Sequence, residues 1–376
     1  MNKTSIDLST FTIDHSFYGE LNVLISIKSF DLQAIRERYI NTRSKKSNRA
    51  GSSERRKVTE GGIASLLIEE GEIKEAQILT TLPEPRGIDL FQDILAISSE
   101  NRVYIFTGTN KFEISDPWFS YIHTVSINKQ STSKILISSS GFDSIFEFDF
   151  LKREKTFEWF AWENGFNKGK DPDTGKNVFL TRNKKIAERY QKENMPYVLI
   201  SDPSQEGLPT AKRAAFINSV LYHPFNAGDI VATFFHEGAV YVISKTSGKA
   251  EKKLENLKNP HGGCLLDKNF YMATSTKSGE VVHGNQTWQK RYDFSMIKGK
   301  PDYLVDFEWI QNSIIEEDNI ISIDSNRNMI IIFNPELQLI DFIPYNKNWA
   351  IQDIIIGKPL ASQIALIKNL NINKKS

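Results

Sequence analysis

Short apolar runs rich in Ile, Val, Phe and Tyr recur along the chain, and clusters of polar turn residues separate them. Ser99-Glu100-Asn101, Ser140-Gly141-Phe142-Asp143, Thr246-Ser247-Gly248 and Asp324-Ser325-Asn326 supply the punctuation. None of the runs between them is long enough for a typical helix with an apolar stripe. This rhythm of strand and tight turn predicts an all-β chain rather than alternating strands and helices.

One outline repeats within the rhythm. In Asn259–Leu266, NPHGGCLL, a turn leads to a histidine and then to a short buried run. The same outline places Arg86, His123, Asn218, Val305 and Gln352 where that stretch has His261. Successive openings fall about one propeller blade apart, a blade being roughly 40–50 residues. The long step from His123 to Asn218 is a blade plus an insertion. The expected fold is a six-bladed β-propeller whose innermost strands each open on a residue at the axial channel.

On this reading blade one is Gly87–Phe91, Ile94–Ser98, Arg102–Phe106 and Lys111–Ile114. Blades two, three and four open at His123, Asn218 and Gly262, and blade five at Leu304–Trp309. Blade six begins with Ala350–Ile356, and its second strand is either Gln363–Ile367 or Leu21–Ile27. IASLLIEEG and IKEAQILTTL flank a turn at Glu70-Gly71 and run straight into the first inner strand. The N-terminal part is therefore expected to supply outer strands of the last blade, closing the ring and removing an exposed sheet edge.

Residues 1–16 are polar and are expected to be loosely held, whereas Asp31–Ile40 reads as a short helix. Asn41–Lys57 is rich in Ser, Lys and Arg with no large apolar residue, so it is expected to be a mobile basic loop. The insertion, residues 160–214, has a length that suggests a lid, binding loop or partner site over the channel mouth. All 376 residues are expected to form one propeller domain.

A formal net charge of +1 gives no global field for nucleic acid or a membrane surface. The single cysteine, Cys264, excludes an internal disulfide, and its apolar setting predicts an inert thiol. The N-terminus lacks the apolar core of a signal peptide and no run approaches a membrane span, so a cytoplasmic location is expected.

Strand alternation aims the opening side chains at the channel. His123 and His261 occupy matching positions, and His236 closes a second strand on the same face. The three could converge on a divalent metal, zinc-like or calcium, with an open coordination position. A histidine-lined pocket without metal, or a merely wet structural channel, are the readings set beside it. Asp171/Asp173 and Asp202/Glu206 lack the glycine and terminal glutamate of a calcium loop and read as turn chemistry. In FEWFAWENGF, Trp162 and Phe166 are candidates to roof the mouth and stack on a ligand; packing of the insertion is the alternative. No phosphate loop, GxSxG elbow or paired CxxC is present.

PRGID, SSGFDSIFEFDF followed by FEWFAWENGF, and the series INSVLYHP, ATFFHEGAVYVIS and LKNPHGG together resemble six-bladed propellers of the arylsulfotransferase-like and NHL-like type. The likeness is best over residues 86–263. Arylsulfotransferases and the peptide-amidating lyase propeller place histidines around the channel mouth, which by this resemblance makes His123 and His261 the positions most like functional ones.

The expected function is binding of a small organic molecule or peptide at the channel mouth, followed by its modification by a lyase, hydrolase or transferase. Arg86 would grip a carboxylate, sulfate or phosphate. His123 and His261 would act with it, Asn218, Gln352, Trp162 and Phe166 would contact the ligand, and His123, His236 and His261 would hold any metal. The competing expectation is a non-catalytic scaffold that docks a protein partner through the insertion or the basic loop.

Overall fold

The computed structural model describes residues 1–41, 49–55, 57–204, 207–304 and 307–370. Among them, six antiparallel sheets each contain four strands joined edge to edge. In the first five the strands follow one another in the sequence. Their innermost strands are Ile88–Phe91, Ile122–Ile127, Ile217–Tyr222, Pro260–Asp267 and Ile310–Glu316, and the sixth is Ala350–Ile356. Each inner strand packs on the next in that order, and the sixth packs back on the first.

The sixth sheet is built from both ends of the chain. Ala350–Ile356 pairs with Leu21–Ser29, which pairs with Glu60–Glu69 and then Glu72–Pro83. Leu21–Ser29 is thus the second strand, and Ala361–Lys368 is a helix. Ala361, Gln363, Ala365, Leu366 and Lys368 are good helix formers, and the stretch follows Pro359. Gln363 accepts from the Leu360 N–H at 2.8 Å, and its Nε2 donates to the carbonyl of Asp93 at 2.8 Å.

The N-terminus is not loose. Asn2–Asp7 adds a fifth, parallel strand outside Trp288–Asp293, and Thr12–Ile13 does the same beside Leu339–Pro344. A sheet edge offers its backbone groups to any extended segment, whatever its side chains. Leu8, fully buried, and Phe11 anchor the link between the two sheets.

The fifth sheet also opens later than the pattern predicts. Asp302–Leu304 is a single helical turn, Val305 lies outside the described residues, and the inner strand begins at Ile310. Leu304, Phe307 and Trp309 are buried in the connection, and a buried connection mimics the periodicity of a strand. Of the segment 41–57, residues 42–48 and 56 lie outside the described residues. Arg49 instead donates to the carbonyls of Arg213 and Ala214, both at 2.8 Å, tying this end of the loop to the body.

The insertion contains a three-stranded sheet of Lys168–Lys170, Asn177–Thr181 and Tyr197–Leu199, with the helix Lys184–Lys192 between its last two strands. Asp171 Oδ1 accepts from the N–H groups of Asp173 and Thr174, which makes this acidic pair a turn. Glu206 lies outside the described residues.

Five inner strands share a local irregularity. Their register with the second strand slips at His123, at Asn218, between His261 and Cys264, at Gln311-Asn312 and at Gln352. A bulge re-aims the side chain it contains and leaves backbone groups outside the ladder. A fully buried hydroxyl occupies the corresponding place in every second strand: Ser98, Ser138, Thr233, Thr274, Ser322 and Ser26. Ser138 Oγ accepts from the Thr124 N–H at 2.9 Å, and Ser98 Oγ from the Gly87 N–H at 2.7 Å. Others join neighbouring sheets. Thr233 Oγ1 accepts from the Gly263 N–H at 2.8 Å, Thr274 donates to Ser313 at 2.9 Å, and Ser26 donates to the carbonyl of Arg86.

Thr233→Val leaves the buried Gly263 N–H and the Ser219 hydroxyl without their acceptor. It is expected to cost about 1–3 kcal/mol in denaturant unfolding, whereas Thr109→Val at an exposed turn shifts stability by less than about 0.5 kcal/mol.

Candidate functional site

Four of the channel residues follow a strained approach. Glu84, Tyr121, Phe216 and Asn259 have φ of 40°, 50°, 49° and 53°, and each lies two positions before Arg86, His123, Asn218 or His261. Left-handed backbone at a non-glycine residue is costly and persists only where its surroundings enforce it. Asp143 does so for Phe216, accepting from the N–H groups of Ala214 at 2.7 Å and Phe216 at 2.6 Å. The result is an abrupt turn that delivers the next side chain but one to the axis.

At the mouth the side chains of Arg86, His123 and His261 help line a cavity of about 150 Å³, room for about five water molecules. Arg86, His123, His261 and Gln352 meet there as the sequence predicts, joined by Lys28, Arg213, Tyr121 and Gln311. Lys28 Nζ donates to Gln352 Oε1 at 2.9 Å, and Gln352 Nε2 donates to Gln311 Oε1 at 3.2 Å. Among the described residues Gln311 is the fifth sheet's contribution. Its signal is the recurrence of Ile, a channel residue, then a small polar residue: Ile122-His123-Thr124, Ile217-Asn218-Ser219, Ile310-Gln311-Asn312 and Ile351-Gln352-Asp353. Lys28 and Arg213 have no such signal, because one comes from a second strand and the other from the end of the insertion.

The cavity is cationic. Lys28, Arg38, Arg86 and Arg213 line it, and among the described residues no carboxylate does. Arg213 is 1% exposed, its guanidinium between the rings of Tyr121 and Phe216 at 4.6 and 4.7 Å. Arg86 is 3% exposed and pairs through Nη2 with the buried Glu84, while its Nη1 has no hydrogen-bond partner among the described residues. A buried guanidinium donor left unmade is costly, and here it belongs to a side chain that borders open space.

The histidines register this charge. His123 and His261 lie 5.6 Å apart between ring centroids. Burial, then His261, Arg86 and Lys28, hold His123 well below the ordinary imidazole range. Burial and then Lys28 bring His261 down to about 3. Both rings are neutral at physiological pH. His261 is oriented by a 2.7 Å bond between Nδ1 and Thr276 Oγ1, whereas His123 makes ring contacts with Phe216 and His261.

Other expected contacts fall elsewhere. His236 packs on Phe216 and Phe235, with Nε2 on the Thr210 carbonyl at 2.8 Å, and does not line the cavity. Trp162 is buried with Nε1 donating to Asp143 at 3.2 Å, and Phe166 packs on Phe234 and Tyr241. Both rings fill the contact between insertion and sheets, where apolar area is better buried than at a wet mouth. Asn218 faces the opposite end of the channel. Among the described residues no three His, Cys, Asp or Glu side chains gather to hold a metal. Among the described residues no carboxylate lines the cavity beside these four cations, and Glu84 is engaged by Arg86, a lining that does not suit a divalent cation. The Cys264 thiol is pushed up to about 11 by burial, which suits an inert group.

No protein-family model and no curated protein matches the chain. Solved structures do resemble it. A chain of the nidogen/laminin complex is 11% identical, with a TM-score of 0.53 over 90% of this chain and 99% of that one. The fold is a β-propeller. A Bacteroides caccae protein of unknown function gives 10% identity and a TM-score of 0.50 over 90% and 99% of the two chains. Virginiamycin B lyase from Staphylococcus aureus gives 10% and 0.42 over 74% and 71%. At such identities the likeness speaks to the propeller fold alone. No helix among the described residues is long and apolar enough to cross a membrane.

His261 titrates near 6.5 when unfolded and about 3 when folded. The stability it contributes is therefore whole above pH ~6.5 and is lost as pH falls towards 3. Asp353, raised to about 7 by burial, has the opposite slope, so the test is a comparison. Between pH 7 and 5, wild type should lose about 2 kcal/mol more than His261→Gln in paired denaturant titrations.

Proposed function

We propose that this chain is a six-bladed β-propeller that binds a small organic anion in the cavity at its channel mouth and moves a proton on it. The observation behind this reading is the buried, unpartnered Arg86 Nη1 at a cavity lined by cations and by no carboxylate among the described residues. A carboxylate, sulfate or phosphate group supplies the missing acceptor, and the planar fork of arginine suits such oxygens. Lys28 adds a second positive charge to the same cavity.

The chemistry then follows from the neutral histidines. An imidazole kept unprotonated can accept a proton from a bound ligand. His123, without a competing hydrogen bond among the described residues, is assigned as the base. His261, oriented by Thr276, is assigned as its partner in contacting the ligand. Negative charge developing on the ligand as the proton leaves would be stabilised by Arg86 and Lys28. When His123 takes the proton from a carbon of the ligand, the electron pair of that C–H bond forms a double bond and a leaving group departs from the neighbouring atom with its own electron pair; this elimination is lyase chemistry, the reaction class proposed.

Calorimetric titration with small carboxylates, sulfate and phosphate tests the binding step. At least one should bind in the millimolar range or tighter, and Arg86→Gln should weaken it about 10-fold or more. Binding unaffected by Arg86→Gln would remove the basis for the reading.

A further inference from the structure

Below the histidine pair the channel opens into a second chamber of about 520 Å³. His123, His261 and Gln352 line both spaces, so the two chambers adjoin through them. Their chemistry is opposite. The far chamber is lined by Asp89, Asp353 and Asn218, and its one lining cation among the described residues, Lys129, lies with Nζ 5.6 Å from the Phe91 ring centroid.

The acceptors here have spare capacity. Asn218 is 1% exposed, and its Nδ2 donates to the Pro260 carbonyl at 2.7 Å, which fixes the amide orientation. The remaining Oδ1 has no hydrogen-bond partner among the described residues. Asp353 Oδ1 accepts from Asn312 Nδ2 at 2.5 Å and from the Ile354 N–H at 3.0 Å, and Oδ2 reaches the Ile88 N–H only at 3.4 Å. Asp89 Oδ2 accepts from the Ile127 N–H at 2.7 Å. Each carboxylate has further lone pairs. Burial is the main cause that pushes both carboxyls up; the nearness of Asp89 adds to it for Asp353, and Lys129 partly offsets it for Asp89.

We propose that the far chamber receives a protonated amine, so that the ligand of this channel is an organic zwitterion. Its anionic group meets Arg86 at the mouth, and its ammonium meets Asn218 Oδ1 and the carboxylates of Asp89 and Asp353. An ammonium has three donors and no acceptor, matching a chamber whose charged groups are mainly acceptors. Two carboxylates and one amide oxygen are too few for a calcium-type shell. The proposal rests on the anion reading of the mouth and extends it by assigning the ligand's other end.

The test uses the full chain and three series of unbranched probes over a range of lengths: ω-amino carboxylates, simple carboxylates and alkylamines. At the best length the amino carboxylate should bind about 10-fold or more tighter than the simple carboxylate. Asp353→Asn should abolish that advantage and leave simple carboxylate affinity unchanged. Asp89→Asn, which keeps an acceptor for the Ile127 N–H, should reduce the advantage and guards against misfolding of the first variant. Calorimetry in buffers of different ionisation enthalpy should detect proton release with the amino carboxylate only. Equal affinity for amino and simple carboxylates at every length overturns the proposal but leaves the anion reading standing. Alkylamine binding that is sensitive to Asp353→Asn, with no carboxylate binding, overturns both the anion reading and the zwitterion. Binding of none of the probes overturns both as well.

Discussion

The site depends on how buried backbone groups are satisfied where the inner strands bulge. A side chain reaches the channel because the strand carrying it leaves register, and leaving register orphans backbone groups in the core. The hydroxyls of Ser138 and Thr233 accept those N–H groups, Ser98 accepts the Gly87 N–H at the start of the unbulged first strand, and Thr274, Ser322 and Ser26 extend the same ring of contacts. Several of these bonds cross between sheets, so the interaction that permits each bulge also fixes one sheet against the next. The channel constellation is thereby held by the core rather than by loops.

Charge is sorted along the axis. The mouth gathers cations from a second strand, the helix Leu32–Asn41, an inner-strand approach and the insertion, and the far chamber gathers carboxylates from the first and sixth sheets. The histidine pair stands between them, and its neutrality follows from burial and the cations above it. A net charge of +1 hides this arrangement, because the field that a ligand feels is local.

Much of the fold is legible in the sequence. Strand runs, turns and the spacing of openings mark the sheets, and Arg86, His123, His261 and Gln352 do meet at one cavity. What escapes detection has specific causes. The fifth opening shifts because Leu304, Phe307 and Trp309 are buried without being strand. The N-terminal strands are polar because only their backbone is used, with Leu8 and Phe11 as anchors. Trp162 and Phe166 have the composition of a ligand roof and the position of core. Lys28 and Arg213 reach the mouth from outside the repeat, so no period in the sequence points to them. His236 shares a sheet end with the others, but the Thr210 carbonyl holds its ring aside.

An anion held at Arg86 between the propeller's inner strands would join the cationic mouth to the proposed chemistry. Crystals soaked in bromide and measured at the bromine absorption edge test that directly. An anomalous peak is expected within hydrogen-bond reach of Arg86 Nη1, in the cavity beside His123 and Lys28. A well-ordered mouth with no anion there, while bromide occupies other sites on the same molecule, would contradict it.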